Sequence, residues 1–117
     1  MAFEIYKRGK RTIDGAPQIS VKANGNLYVN TYAMENYFKG IKHVLLLFDG
    51  GRRLIGIKPL SRREENSYAL NFSSKISKST GVISARGFLK HILKGDDKSR
   101  KLRAEWNQKE RCLIAKL

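Results

Sequence analysis

Acidic side chains are scarce in this chain of 117 residues: ten Asp and Glu stand against 24 Lys and Arg, a net charge of +14. Cysteine is scarcer still. Cys112 stands alone, which excludes an intrachain disulfide and fits a reducing compartment. The longest apolar run, Val44 to Phe48, is far too short to span a bilayer. No apolar stretch of secretory type opens the chain, because Phe3, Ile5 and Tyr6 alternate with polar residues. These shortages predict a soluble, cytoplasmic protein with no membrane partner. They also speak against catalysis. There is no P-loop, no His–Glu metal helix and no CxxC pair. His43 and His91 stand apart beside apolar runs, and Cys112 sits in an apolar strand where a thiol is packed rather than nucleophilic. Asp96-Asp97 and Glu64-Glu65 read as solvated turn acids. No set of groups makes a nucleophile with its base, so neither enzymatic activity nor any cofactor or metal is expected.

What is present is enough for a core. Hydrophobic residues make up 41% of the chain, and five Tyr, five Phe and Trp106 exclude a disordered basic tail. The length suggests one domain over residues 1–117. Self-repulsion at +14 needs compensation, and the commonest compensating partner is nucleic acid. Residues 1–60 hold ten basic and four acidic residues, and residues 61–117 hold fourteen and six. Neither half neutralises the other.

The pattern along the chain predicts an α+β fold, mostly antiparallel β with two short helices. Residues 1–17 read as an N-terminal strand and basic arm. Ile19 and Val21 alternate as a strand, Asn24-Gly25-Asn26 turns, and Leu27 and Val29 begin a second strand. Asn30 or Thr31 caps a helix through Phe38 that Lys39-Gly40 stops. His43 to Phe48 reads as a buried strand, Asp49-Gly50-Gly51-Arg52 as a hairpin turn of type I′, and Leu54 to Pro59 as the returning strand. The order then recurs. Tyr68, Leu70 and Phe72 alternate, Thr80-Gly81 takes the place of Asn24-Gly25, and Ile83 and Ala85 follow. Phe88, Leu89, Ile92 and Leu93 make a helical stripe that Lys94 to Asp97 ends, and Leu102, Ala104 and Trp106 alternate. A turn at Asn107 to Glu110 leads into Cys112 to Leu117. This predicts a duplicated β-turn-β-α-β-hairpin unit, a pseudo-dimer with repeat 1 over about 18–60 and repeat 2 over about 67–117.

Ile19 to Val29, the short helix, Val44 to Phe48, Asp49 to Arg53 and Leu54 to Pro59 together resemble the swapped-hairpin motif of AbrB, MazE and MraZ-type transcription factors. Two copies in one chain resemble the MraZ arrangement. The resemblance implies a DNA-binding, transcription-regulating protein. Members commonly place an Arg after the turn glycine and a Pro before the helix; here those positions hold Asn26 and Asn30. The second copy has Val82 after its glycine, so the family's DNA-facing arginine is missing from its usual place.

The charge therefore has to act elsewhere. The candidate nucleic-acid-binding residues are Lys7, Arg8, Lys10 and Arg11 in the arm, Arg52 and Arg53 at the hairpin tip, and Lys98, Arg100, Lys101 and Arg103. Lys101 and Arg103 share one strand face, opposite Leu102 and Ala104, and form a phosphate track. Arg86, Lys90 and Lys94 line one helical face, which can equally be a solvated one. Among the aromatics Tyr28 is the candidate for base stacking, which would suit a single-stranded or RNA partner. Double-stranded DNA is favoured, in a regulatory or architectural role. The alternatives are an RNA or single-strand binder and a module docking an acidic protein. Hairpins exposed at the surface could also join chains into a homo-oligomer.

Overall fold

The computed structural model describes residues 15–73, 77–93 and 99–117. Strands β1 (Gln18–Val21) and β2 (Asn26–Val29) lead into helix α1 (Thr31–Tyr37) and then β3 (His43–Asp49) and β4 (Leu54–Leu60). The second half contains β5 (Tyr68–Ala69), β6 (Asn71–Ser73), β7 (Ser77–Ser84), helix α2 (Arg86–Leu93), β8 (Arg100–Asn107) and β9 (Cys112–Lys116). The fold is α+β, mostly antiparallel strands with two short helices. None of the described helices is long and apolar enough to cross a membrane.

Period-two patterning sets the strands. Ile19, Val21, Leu27 and Val29 are fully buried, while Gln18, Ser20, Asn26 and Tyr28 alternate with them on the outer face. Asn30 then does two jobs. Its Oδ1 accepts from the Ala33 N–H at 3.2 Å, which caps α1, and from the Gln18 N–H at 3.0 Å, which fixes the start of β1. Its Nδ2 donates to the Ala16 carbonyl at 2.9 Å.

The strands lie in the order β5-β3-β4-β9-β8-β1-β2-β7-β6. The two ends of that order flank a single residue, Leu70. Ala69 pairs with His43 of β3, and Asn71 pairs with Val82 of β7. The sheet thus returns on itself. Leu70 marks the switch between partners: its N–H donates to the Lys42 carbonyl at 2.9 Å and its side chain is buried. Inside the ring, Ile19, Leu27, Val44, Ile57, Ile83 and Leu113 pack in one cluster with Phe38 beside α1 and Ile92 of α2.

Several expectations are corrected. The strand expected across Tyr68, Leu70 and Phe72 is two strands, because its residues serve different neighbours; Phe72 is left 65% exposed. Thr80-Gly81 does not turn. Both residues lie within β7, and Gly81 pairs with Val29 on one side and Phe72 on the other. That glycine serves packing instead, since a Cβ there would lie 2.5 Å from Met34 Sδ and 3.0 Å from Leu70 Cδ1. In β3 only Val44 is fully buried, and Leu47 is 42% exposed. An apolar run reads as buried on both faces, but here one face points out of the ring.

The β3–β4 turn is not type I′, which needs positive φ at both central residues. Its left-handed residue is the last, Arg53, with φ 57°. Asp49 Oδ1 accepts from the Arg52 N–H at 3.2 Å across the turn. The β8–β9 turn is built the same way. Asn107 Oδ1 accepts from the Glu110 N–H at 2.9 Å, and Arg111 has φ 54°. The helix stop expected at Lys94 to Asp97 lies outside the described residues.

Asn30→Ala should lower stability by about 2–3 kcal/mol, because it removes a helix cap and leaves part-buried backbone groups unpaired. Asn30→Asp retains both acceptor bonds and should lose less. Urea unfolding of the three proteins checks the order.

Candidate nucleic-acid interface

On β8 the alternation separates the basic residues. Lys101 and Arg103 are exposed on the outer face, while Leu102 and Ala104 are buried, as the strand period requires. Arg100 falls on the Leu102 face and is half-buried. Its register partner is Val21, whereas Lys101 lies opposite Ser20 and Arg103 opposite Gln18. Ser20 in turn lies opposite Tyr28, and Tyr28 opposite Val82. The outer row therefore runs Lys101–Ser20–Tyr28–Val82. Tyr28 is half-buried, and its hydroxyl accepts from Asn26 Nδ2 at 3.4 Å.

One turn gathers further charge beside this row. Gly25, with φ 96°, closes the β1–β2 connection; its N–H donates to the Lys22 carbonyl at 3.0 Å. Asn24 Oδ1 accepts from the Asn26 N–H at 3.0 Å. Two distant segments clamp the turn. The Ala85 N–H donates to the Gly25 carbonyl at 2.9 Å, and the Ala23 N–H donates to Ser99 Oγ at 3.0 Å. Arg86 sits so close that a Cβ on Gly25 would lie 2.9 Å from its own Cβ. Lys22, Arg86 and Lys101 are thus assembled around one turn from three parts of the chain. Lys90 follows one helical turn after Arg86 and is also exposed.

Among the described residues, acids lie away from this turn. The described carboxylates are Glu35, Asp49, Glu64, Glu65, Glu105 and Glu110; none lies on β1, β2, β7 or α2. The first acid met along the outer face of β8 is Glu105, beyond Arg103. Sequence reasoning missed Lys22 as a site residue and treated Arg86 only as part of a helical stripe. The available signal was a basic residue immediately flanking a strong Asn-Gly turn. Nothing local could have placed Arg86 on that turn.

The hairpin arginines are engaged otherwise. Arg52 Nε donates to Asp49 Oδ2 at 2.9 Å in an exposed ion pair. Arg53 Nη1 donates to the Ile92 carbonyl at 3.3 Å, near the C-terminal end of α2 where a cation suits both the free carbonyls and the helix dipole. Lys7, Arg8, Lys10, Arg11 and Lys98 lie outside the described residues.

Trp106 stacks on Tyr37, with ring centres 4.6 Å apart and planes 3° apart, and meets Phe38 edge-on. Its Nε1 donates to Gln108 Oε1 at 2.8 Å. Tyr37 therefore holds one of its faces. Cys112 is buried; burial pushes its thiol pKa up, Glu110 adds to the rise and Lys58 opposes it. Among the described residues no three His, Cys, Asp or Glu side chains gather as a metal ion would require.

The Arg52 side-chain hydrogen bond holds the Asp49 carboxyl below its ordinary range, helped by the Arg52 N–H. Its folded pKa lies below its unfolded one, so its contribution is full above the unfolded value, about 3.9, and is lost as pH falls through the folded value. Asp49→Asn should retain the turn, as Asn107 does in the other hairpin, and should lose less stability on acidification than the parent. Asp49→Ala should be less stable already at neutral pH. Thermal melts across the acid range read both.

No family model matches the chain, and no curated protein or solved structure is significantly similar to it.

Proposed function

We propose that this chain binds double-stranded DNA through the outer face of β8, β1 and β2 and the adjoining start of α2, in a regulatory or architectural role. The observation that carries the reading is the gathering of Lys22, Arg86, Lys90, Lys101 and Arg103 where β1, β2, β7 and α2 hold no acid, on a chain of net charge +14. Lysine and arginine there contact phosphates, and Ser20, Asn24, Asn26 and Tyr28 supply neutral hydrogen-bonding groups among them. Phosphate contacts dominate, so affinity falls with salt.

The reading extends to the architecture: a duplicated unit of swapped-hairpin type, with one chain acting as a pseudo-dimer. Three features support it. Asn26–Ser84 and Tyr28–Val82 flank Leu27–Ile83 symmetrically, as a local two-fold demands if residue 27 corresponds to 83. Ile55–Ala115 and Ile57–Leu113 flank Gly56–Ile114 in the same manner. The two hairpin turns also share their Asx acceptor and their left-handed arginine. In this scheme β5 and β6 together take the place of β1: β1 lies between β8 and β2, and they lie between β3 and β7.

Fluorescence anisotropy with a labelled duplex tests the binding. If four side chains each neutralise one phosphate, log K should fall with log salt at a slope of about −3 to −4. Lys101→Ala and Arg86→Ala should each weaken binding and reduce that slope by about one. Arg52→Ala, whose parent side chain is paired with Asp49, should leave both unchanged. No binding at low salt would sink the proposal, and stronger binding to single strands would move it to the single-strand alternative, with Tyr28 as the stacking residue.

A further inference from the structure

A second outer face of the ring carries acids as well as bases around an apolar centre. Register carries a row Leu47–Gly56–Ile114–Glu105 straight across β3, β4, β9 and β8. The neighbouring row begins Asp49–Leu54–Lys116. Leu45 and Lys58 face each other one step further along. The centre is apolar: Leu47 is 42% exposed, Leu45, Leu54 and Ile114 are half-buried, and Gly56 has no side chain to rise between them. Two shallow concavities of about 410 Å³ each share Leu54 and Ile114 on this face; one reaches Leu47 and Cys112, the other Arg103, Glu105 and Lys116.

Both signs of charge surround that centre. Asp49, Glu105 and Glu110 are three of the described acids, and Arg52, Lys58, Arg103 and Lys116 stand among them. The carboxylates make this face poorer than the basic one for a polyanion or an acidic protein. A second copy of this chain is not disfavoured in this way. At a net charge of +14 two copies repel on most approaches, but on this face each presents acids to the other's bases around an apolar middle.

We propose that the outer face of β3, β4, β9 and β8 docks a second copy of this chain, sheet against sheet. Four strands about 4.8 Å apart, of seven, seven, five and eight residues, cover a plan of roughly 450 Å². That is small beside the ~800 Å² per partner of a standard interface, so the dimer is reversible and concentration-dependent. The proposal does not rest on the nucleic-acid reading: the two faces share only β8, where Arg103 borders both, and Leu47, Leu54 and Ile114 lie on β3, β4 and β9.

Sedimentation velocity over a concentration series, without nucleic acid, tests it. The parent should pass from monomer to dimer as concentration rises. Leu47→Lys should weaken the dimer at least tenfold, or about 1.4 kcal/mol, and Ile114→Lys should do the same if Leu47→Lys proves unstable. Phe72→Ser, at the other exposed large hydrophobic side chain among the described residues, should leave dimerisation unchanged. Circular dichroism confirms that each variant is folded. A parent that stays monomeric throughout overturns the proposal, as does a dimer that both Leu47→Lys and Ile114→Lys leave intact or that Phe72→Ser dissolves. Duplex binding by a monomeric parent would leave the nucleic-acid reading standing alone.

Discussion

The pairing of β1 with β8 is the interaction on which the remaining structure depends. Ile19 lies opposite Leu102 and Ser20 opposite Lys101, so the first strand is completed only by the penultimate one. The Ala104 N–H also donates to the Pro17 carbonyl at 3.1 Å, extending that contact past the start of β1. With β1 held in this way, β2 is presented to β7 and the β1–β2 turn is pressed between Ala85 and Ser99. The basic surface is thus a product of long-range backbone pairing. Lys22, Arg86 and Lys101 are remote in sequence and become neighbours because their strands and turns do.

Much of the local structure was legible, and the reason is period. Ile19, Val21, Leu27 and Val29 alternate cleanly and are buried cleanly, and Asn30 precedes its helix in the one role a short amide side chain fills best. Lys101 and Arg103 on one strand face followed from the same rule. What escaped was set by neighbours far along the chain. Gly81 looks like a turn residue until Met34 is laid against it. Leu70 looks like the middle of a strand until β3 and β7 are seen to claim its two sides. Arg53 and Arg52 look like free hairpin charges, yet their partners are an α2 carbonyl and Asp49. Local patterns report alternation and turn chemistry; they carry no information about which remote backbone fills a given space.

The charge excess also acquires a geometry. Basic residues gather at the β1–β2 turn, the start of α2 and the first half of β8, while three described carboxylates collect on the hairpins of β3–β4 and β8–β9. A ring of strands makes such a separation possible, since every strand has an inner face for the shared core and an outer face that belongs to its own side. Burial constrains the first and leaves the second free to differ around the circumference.

Closure through Leu70 bears on how the chain reaches this state. Ile19 cannot find Leu102, nor Gly56 find Ile114, until nearly the whole described chain is available. Loop entropy must be spent before those contacts return anything, so the ring belongs among slow-folding topologies. During that interval the β1–β2 and β3–β4 hairpins have unpaired edges, the condition under which nascent chains associate wrongly. Like charges on separate molecules hold them apart in the meantime, so the excess of lysine and arginine can act as a kinetic safeguard while the ring is being made.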